Sequence, residues 1–207
     1  MTMPVATALD LSRPFSSRYG APIIRRVDPR IFRLTYFTRC LACDFCHDQC
    51  CEHGVDVDFL HLDAILRHAD GLEAYSGIPR KRWFVQTREA DEELPGGGGT
   101  RTRVRNGACV FLKRNGRGCW IHAYCLDHGI DYHELKSLVD CLFPITFADG
   151  LLCPADEAAD GSLVCTGVGP SLYRGLREEL GYYFGPHLVA ELDRLEEADA
   201  QDGATVG

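Results

Sequence analysis

Hydrophobic and polar positions in the first part of the chain predict an irregular start, then a strand and a helix. Residues 1–30 contain four prolines and little periodicity, so we expect an irregular N-terminal arm there. The stretch RIFRLTYFTRC alternates between two sets of side chains and predicts a short strand. From Phe59 onward, apolar residues recur at helical spacing, with Asp56 or Asp58 as N-cap and Gly71 as the stop, which predicts a helix.

Acidic residues and glycines break the pattern in the middle of the chain. The stretch READEELPGGGGTRTR combines an acidic run, a proline and four glycines, and it predicts a flexible loop near residues 88–103. The following CVFLKRNGRGCWIHAYC predicts a hairpin around RNGRG, with Cys109 on one arm and Cys119 at the start of the other. The segment DYHELK predicts a helix from Asp131 with Glu134 as its capping-box partner, and CLFPITF predicts a strand.

Two amphipathic helices are predicted near the C-terminal end, one from Ser171 and one after Pro186. The apolar stripe of the second helix consists of Leu188, Leu192 and Leu195. The ending DAQDGATVG is polar and small, so we expect it to fray. The predicted domains are an N-terminal arm (1–30), a cysteine-cluster domain (31–170) with its flexible loop, two helices packed on that domain (171–198) and a disordered tail (199–207).

The composition is that of a globular, acidic chain. Of the 207 residues, 45% are apolar and 25% are charged, which argues against disorder. The net charge of −8 disfavours nucleic acid as the principal partner, because phosphate binders concentrate Lys and Arg. No signal peptide is visible and no apolar stretch reaches about 18 residues, so we expect a cytoplasmic protein with no membrane partner.

Cysteine content is the most unusual property of the sequence. The chain has eleven cysteines, and five of them lie within TRCLACDFCHDQCCEHG, residues 38–54. In a reducing compartment thiols stay reduced unless a metal or a catalytic cycle uses them, and an odd number would leave a disulfide framework incomplete. The thiols therefore favour a metal site over disulfides.

Spacing within this segment leaves the identity of the metal open. Cys40, Cys43, Cys46 and Cys50 have the C-x2-C-x2-C-x3-C spacing of a bacterial ferredoxin run, but the following proline and a second run are missing. A C-x2-C pair is equally typical of a four-cysteine zinc site. Adjacent side chains normally diverge, so Cys50 and Cys51 are expected to serve different centres, or one of them to lie beside the metal.

Four segments in combination resemble a known family. The segments CDFCHDQCC, CVFL, GCWIH and CLFPI resemble the CxxCxxCC cysteine-cluster family of zinc- or iron-chelating domains, and LVCTGVGPSLYRGLREEL resembles the closing segment of one branch. The resemblance covers roughly residues 36–180. It implies a metal-binding domain, and the relation of some members to the cysteine-rich part of flagellin lysine methylases implies an iron–sulfur cluster. We expect a 4Fe–4S cluster, with zinc as the alternative.

The resemblance also implies which cysteines bind the metal. They are Cys43, Cys46, Cys50 and Cys51 of the first segment, then Cys109, Cys119 and Cys141, and finally Cys165 as the late cysteine of the branch. Cys40 joins this set from the spacing of the first segment, whereas Cys125 and Cys153 are left open as ligands or as buried apolar side chains. His122 is the best histidine candidate, since it follows Cys119 by three residues. The other histidines near cysteines are expected beside the metal or at the surface: His47, His53, His128 and His133.

Basic residues flank the glycine-rich loop in IPRKRWF and RTRVR. We expect most of them to be solvated; the alternatives are a site for an anionic partner and a counter-charge to an anionic cluster. No nucleophile elbow, zinc-protease helix or dinucleotide-binding glycine pattern is present in the sequence. Any catalytic role therefore rests on the resemblance alone.

The expected fold is α+β: a small, irregular, cysteine-rich domain centred on a metal, with short strands, helices and a helical C-terminal segment. The expected function is metal binding without an autonomous enzyme site. The alternatives are an enzyme or enzyme subunit that uses the cluster for redox or methyl-transfer chemistry, and a structural zinc domain for protein interaction. The expected partner is a metal ion or cluster, and a protein partner is left open.

Overall fold

Residues 7–38, 45–46 and 48–205 are described by the structure, a computed structural model, with side chains as far as Gln201. The chain divides into two compact units. We call Met1–Thr38 together with Leu142–Gly207 the two-segment unit, and Arg39–Cys141 the cysteine-rich unit. Both contain helices and small sheets, which confirms the α+β class.

The regular elements are short in most of the chain. The strands are β1 (Leu9–Ser16), β2 (Ile23–Val27), β3 (Thr35–Tyr36), β4 (Asp56–Asp58), β5 (Glu89–Ala90), β6 (Gly98–Arg101), β7 (Val104–Arg105), β8 (Ala108–Cys109), β9 (Ile145–Ala148), β10 (Leu151–Pro154) and β11 (Thr166–Ser171). The α-helices are α1 (Arg30–Arg33), α2 (Phe59–Arg67), α3 (Ala69–Ser76), α4 (Trp120–His128), α5 (Leu138–Leu142), α6 (Asp156–Ala159), α7 (Leu172–Phe184) and α8 (Pro186–Thr205). Short 3₁₀ helices cover Gln49–Cys51, Arg80–Arg82 and Tyr132–Glu134.

A four-stranded sheet with the order β1-β2-β10-β9 forms the centre of the two-segment unit. The irregular arm predicted for residues 1–30 therefore contains two strands instead, and its residues 1–6 lie outside the described part. β2 buries Ile24 and Val27 completely, and Val27 pairs in parallel register with Leu152 of β10. Pro14 is tolerated because β1 is an edge strand with an irregular register.

The strand predicted from RIFRLTYFTRC begins instead as helix α1, and among its described residues only Thr35–Tyr36 form a strand, β3. The Asp28 side chain explains the helical start. Its Oδ1 accepts a hydrogen bond from the Arg30 backbone N at 2.9 Å, and its Oδ2 pairs with the Arg30 side chain at 2.6 Å. This carboxylate therefore stabilises the first helical turn, which forms here instead of the strand that the alternating pattern predicts.

Both predicted C-terminal helices are confirmed and belong to the two-segment unit. Ser171 caps α7 by accepting from the Arg174 backbone N at 3.2 Å. In α8, Leu188 and Leu192 are completely buried. Helix α8 continues to Thr205, through most of the predicted frayed tail, and the Arg33 Nε donates to Asp199 Oδ2 at 2.8 Å on its last turns.

In the cysteine-rich unit, the predicted helix is confirmed as α2, with Asp58 as its N-cap. Gly71 does not stop the helical path, because the chain turns at His68 and continues as α3 as far as Ser76. Gly77, with φ of +68°, ends it. Gly71 instead lies against Tyr124, because a Cβ there would stand 2.5 Å from the Tyr124 hydroxyl and that side chain would have to shift.

The glycine-rich stretch is a packed β-hairpin, not the flexible loop predicted near residues 88–103. β6 pairs with β4 on one side and β5 on the other. Gly99 is buried, and a Cβ there would stand 2.7 Å from the Val57 carbonyl oxygen. The glycines therefore let three backbones approach closely, which composition alone does not distinguish from a linker.

The predicted hairpin around RNGRG closes through Lys113 N, which donates to Gly118 O at 2.9 Å, and through a bridge between Leu112 and Cys119. Its second arm is helix α4, which Cys119 precedes as the N-cap residue, and not a strand. The helix predicted from Asp131 is a 3₁₀ turn, with the Asp131 side chain accepting from His133 N.

Candidate metal centre

The predicted ligands divide unequally between the two units. Cys40, Cys43, Cys46, Cys50, Cys51, Cys109, Cys119 and Cys141 fall in the cysteine-rich unit. Cys165 falls in the two-segment unit, where its carbonyl accepts a hydrogen bond from Phe37 N at 3.1 Å. Cys40 and Cys43, like His47, lie outside the described residues.

A tight turn positions the described cysteines of the first segment. Asp48 adopts the left-handed conformation with φ of +58°, and its carbonyl accepts from Cys51 N at 2.8 Å. Gln49 N donates to Cys46 O at 3.1 Å. Cys46 is buried, and Cys50 and Cys51 are half-buried in the 3₁₀ turn that follows. The turn therefore presents three thiols within six residues of chain.

Arg117 connects this turn to the hairpin that leads into Cys119. Its Nη2 donates to Cys46 Sγ at 3.1 Å and lies 3.2 Å from Asp48 Oδ1. Gly116 and Gly118 flank it with φ values of +144° and +81°. These backbone conformations suit glycine, and they let the turn bend so that one arginine reaches both acceptors.

Cys109 and Cys119 lie on the two arms of the hairpin. The Cys109 Sγ donates to Thr102 Oγ1 at 3.3 Å. Burial raises the pKa of Cys109, and burial raises the pKa of Cys119 to about 12, with the Asp140 carboxylate adding to both shifts. Both thiols therefore keep their protons at neutral pH unless a cation takes the place of the proton.

Lys136 and Asp140 form an ion pair beside these thiols, with 3.4 Å between Lys136 Nζ and Asp140 Oδ2. Burial alone would lower the pKa of Lys136, but Asp140 and the sulfurs of Cys141 and Cys119 outweigh it and hold that pKa above its ordinary value. The Cys141 Sγ also donates weakly to Lys136 O at 3.9 Å. The three predicted ligands Cys109, Cys119 and Cys141 thus share one charged neighbourhood.

Hydrophobic side chains surround part of the same region. Cys109 and Cys125 belong to the buried core of the unit, and Cys51 and Cys119 pack against it. Cys125 is completely buried in α4, and burial raises its pKa to about 11. Its contacts support the packing interpretation. Cys153, in β10 of the two-segment unit, is half-buried, and burial raises its pKa to about 11 as well.

The histidines near cysteines have other interactions. The His122 ring packs on the Tyr132 ring at 4.9 Å between centroids. His128 Nδ1 faces Tyr124 O at 2.9 Å, and His133 Nδ1 faces Asp131 Oδ1 at 2.6 Å. The backbone carbonyl of His53 accepts a hydrogen bond from Arg101 Nη2.

The basic residues beside the glycine-rich hairpin serve the local structure. Arg80 pairs with Asp70 and Glu73, and Arg103 Nε donates to Phe84 O at 2.6 Å. Among the described residues, Arg117 and Lys136 are the cations beside predicted ligand thiols, and sequence reasoning did not single them out. The available signal was the position of Arg117 between two glycines directly before Cys119.

The donor chemistry suits a thiolate-bound metal, because the candidate side chains are cysteines, and sulfur donors suit zinc and iron rather than calcium or magnesium. Within residues 7–38, 45–46 and 48–205, no three His, Cys, Asp or Glu side chains stand together as a metal site. The described thiols that could contribute to a metal site come from two parts of the sequence. They are Cys46, Cys50 and Cys51 of the first segment, and Cys109, Cys119 and Cys141 farther along the chain.

Comparison with known proteins does not assign the chain to a family. No protein-family model matches the chain, and no solved structure matches it. Among the described helices, none combines the length and apolar character needed to cross a bilayer.

Proposed function

We propose that this chain is a metal-binding protein whose cysteine-rich unit holds an iron–sulfur cluster, without an enzyme site of its own. The ligands come from Cys40, Cys43, Cys46, Cys50 and Cys51 of the first segment together with Cys109, Cys119 and Cys141. The supporting observation is the Arg117 contact, which ties Cys46 to the hairpin that carries Cys109 and Cys119. This contact relates thiols that are more than 60 residues apart in sequence.

Burial of the thiols supports a metal over a redox-active dithiol. Thiolate is both the nucleophile and the metal ligand, and burial disfavours it at Cys109 and Cys119. A metal cation compensates that cost directly, because it neutralises the thiolate as it forms. Resemblance to the CxxCxxCC family supports the same class of ligand.

Iron–sulfur is preferred to zinc because the donors are cysteines almost without exception, including the adjacent pair Cys50 and Cys51. Zinc sites accept the same thiolates, so zinc is the rival outcome. When bound, the cluster would supply one-electron redox capacity or a structural cross-link. The cysteines of the chain would hold it, and Arg117, Lys136 and Asp140 would set the charge around it.

The test is elemental analysis of full-length protein purified without oxygen. We expect iron and acid-labile sulfide in near-equal amounts, with visible thiolate-to-iron absorption. Cys119→Ser and Cys141→Ser are expected to lose most of both, whereas Cys153→Ser in the two-segment unit is the matched control and keeps them. Colourless protein with stoichiometric zinc would contradict the iron–sulfur cluster and support a zinc site instead. Protein with neither metal would contradict the proposal.

A further inference from the structure

Arg117 makes a contact that packing alone does not require. Its Nη2 donates to Cys46 Sγ at 3.1 Å, although the side chain is still 31% exposed and could turn toward water. Cys46 itself is 3% exposed. A cation held against a buried sulfur is most favourable when the sulfur carries negative charge, because opposite charges attract most strongly where little water screens them.

Asp48 competes for the same guanidinium. Its Oδ1 lies 3.2 Å from Arg117 Nη2, and its side chain is 9% exposed. That oxygen makes no hydrogen bond to the described residues, so the charge of Arg117 is its main compensation. Asp48 occupies a left-handed turn position with φ of +58°. Arg117 thus contacts both the Asp48 carboxylate and the Cys46 sulfur.

We propose that Arg117 sets the reduction potential of the cluster by donating to the Cys46 sulfur, and that Asp48 limits this effect. The proposal rests on the proposed function. Reduction adds one electron to the cluster and makes or breaks no bond to the protein. The reduced cluster carries one more negative charge, so a nearby cation and an N–H···S bond stabilise it more than the oxidised form and raise the potential. Arg117 is a positioning and charge-tuning residue, not a ligand.

Opposite charge changes at the two positions separate electrostatics from loss of structure. Arg117→Gln removes the cation and is expected to lower the midpoint potential. Arg117→Lys keeps the charge without the fork of donors, so its potential is expected to lie between those of Arg117→Gln and wild type. Asp48→Asn removes the competing anion and is expected to raise the potential. Asparagine tolerates the left-handed conformation, so the turn should persist.

Arg114→Gln is the matched control, because it lies in the same hairpin turn with the same charge. Its Nη2 donates to the carbonyls of Arg105 and Asn106 and contacts no sulfur among the described residues. It is exposed, so salt screens its charge. We expect its midpoint potential to equal that of wild type within experimental scatter.

The experiment is a spectroelectrochemical titration of anaerobically purified full-length protein, with dithionite as reductant and mediator dyes, beside iron and sulfide analysis. Arg117→Gln should change the equilibrium constant for reduction about tenfold, which is ~59 mV for a one-electron couple. Unchanged potentials with an intact cluster, or shifts of the same sign in Arg117→Gln and Asp48→Asn, would overturn the inference while leaving the proposed function standing. Wild-type protein without iron and sulfide would overturn both. If Arg117→Gln fails to hold the cluster, Arg117→Lys and Asp48→Asn decide the question.

Discussion

The Asp58 carboxylate pairs with the His61 ring in the interior of the cysteine-rich unit. Both Asp58 and His61 are 0% exposed, and His61 Nδ1 lies 2.7 Å from each Asp58 oxygen. The same carboxylate accepts from His61 N at 2.9 Å and caps α2, and His61 Nε2 faces His133 O at 3.2 Å. Asp58 therefore caps α2 and also provides the hydrogen-bond partner of the buried His61 ring.

Replacing Asp58 by Ala is expected to destabilise the protein by about 2–4 kcal/mol, because it removes the hydrogen-bond partner of the buried His61 Nδ1 and the cap of α2. Chemical denaturation followed by circular dichroism measures the change. Asp63→Ala, on the exposed face of the same helix, is the control and should stay within about 0.5 kcal/mol of wild type. Equal effects of the two substitutions would contradict the role assigned to Asp58.

A second carboxylate, Asp193, gives the two-segment unit an acid-sensitive contact. The Arg177 guanidinium, by hydrogen bonding, lowers the pKa of Asp193 to about 2, although burial opposes the shift. A carboxyl whose pKa is lower in the folded state than in the unfolded state stabilises the fold above its unfolded pKa. That contribution disappears as the pH falls through the folded value.

Asp193→Asn should therefore lower the melting temperature at about pH 6, and the difference from wild type should shrink between about pH 4 and pH 2. Thermal melts over this range measure it. Glu197→Gln, on the exposed side of α8, supplies the comparison and should show no such window. A constant difference at every pH would point to packing instead of charge.

At the scale of elements, the β4–β6–β5 sheet depends on glycines without side chains. Gly99→Ala would place a methyl group 2.7 Å from Val57 O and 3.2 Å from Leu94 Cδ1. We expect a loss of about 1–3 kcal/mol in unfolding free energy, as for other overpacked sites. Gly181→Ala in α7 meets only an ordinary contact at 3.6 Å from Val189, so it should stabilise by about 0.5–1 kcal/mol. Denaturation curves that show both changes with the same sign would refute this interpretation.

The Glu191 carboxylate links the first strand to the last helix. Glu191, 7% exposed, accepts from Ser12 N at 2.5 Å and from Ser12 Oγ at 2.6 Å. Glu191→Ala should therefore speed amide hydrogen exchange in β1 peptides, because charged hydrogen bonds of about 1.5–3 kcal/mol are lost. Glu197→Ala leaves the contact intact and should leave β1 exchange unchanged. Unaltered β1 exchange in the Glu191 variant would show that the strand is held by its sheet alone.

The sequence predicted elements well where the signal is local. The sequence offers Asp56 or Asp58 as the cap of α2 and places the start of a helix at Ser171, and both α7 and α8 are expected from their amphipathic pattern. It failed at β5–β6, because glycines that mark a linker and glycines that allow close strand packing look alike in one sequence. It also missed Arg117 and Lys136, since their partners lie far away along the chain and only the fold brings them together.

At the scale of the whole molecule, the division into units differs from the predicted domains. The predicted cysteine-cluster domain of residues 31–170 contains the compact unit Arg39–Cys141, and the residues on either side of that unit join the N-terminal strands and C-terminal helices. Sequence patterns could not show this, because the parallel pairing of β2 with β10 joins positions more than 120 residues apart. Pairing between such distant segments produces no pattern within a short stretch of sequence.

Metal removal should consequently act on one unit. We expect chelation of the proposed metal to increase hydrogen exchange in peptides from residues 48–141, since bound metal contributes directly to folding free energy. Peptides from β1, β2 and α7 are expected to keep their protection. Exchange measured by mass spectrometry on holo and metal-depleted protein checks this. Equal loss of protection in both units, or none in either, would be inconsistent with a metal confined to the cysteine-rich unit.

The interrupted course of the two-segment unit imposes an order on biosynthesis. As the ribosome releases the chain, β2 has to wait for β10, because its inner partner is residues 151–154. By then the whole of Arg39–Cys141 has already emerged. The nascent cysteine-rich unit thus has the opportunity to fold while β2, which can already pair with β1, still lacks β10 on its other side.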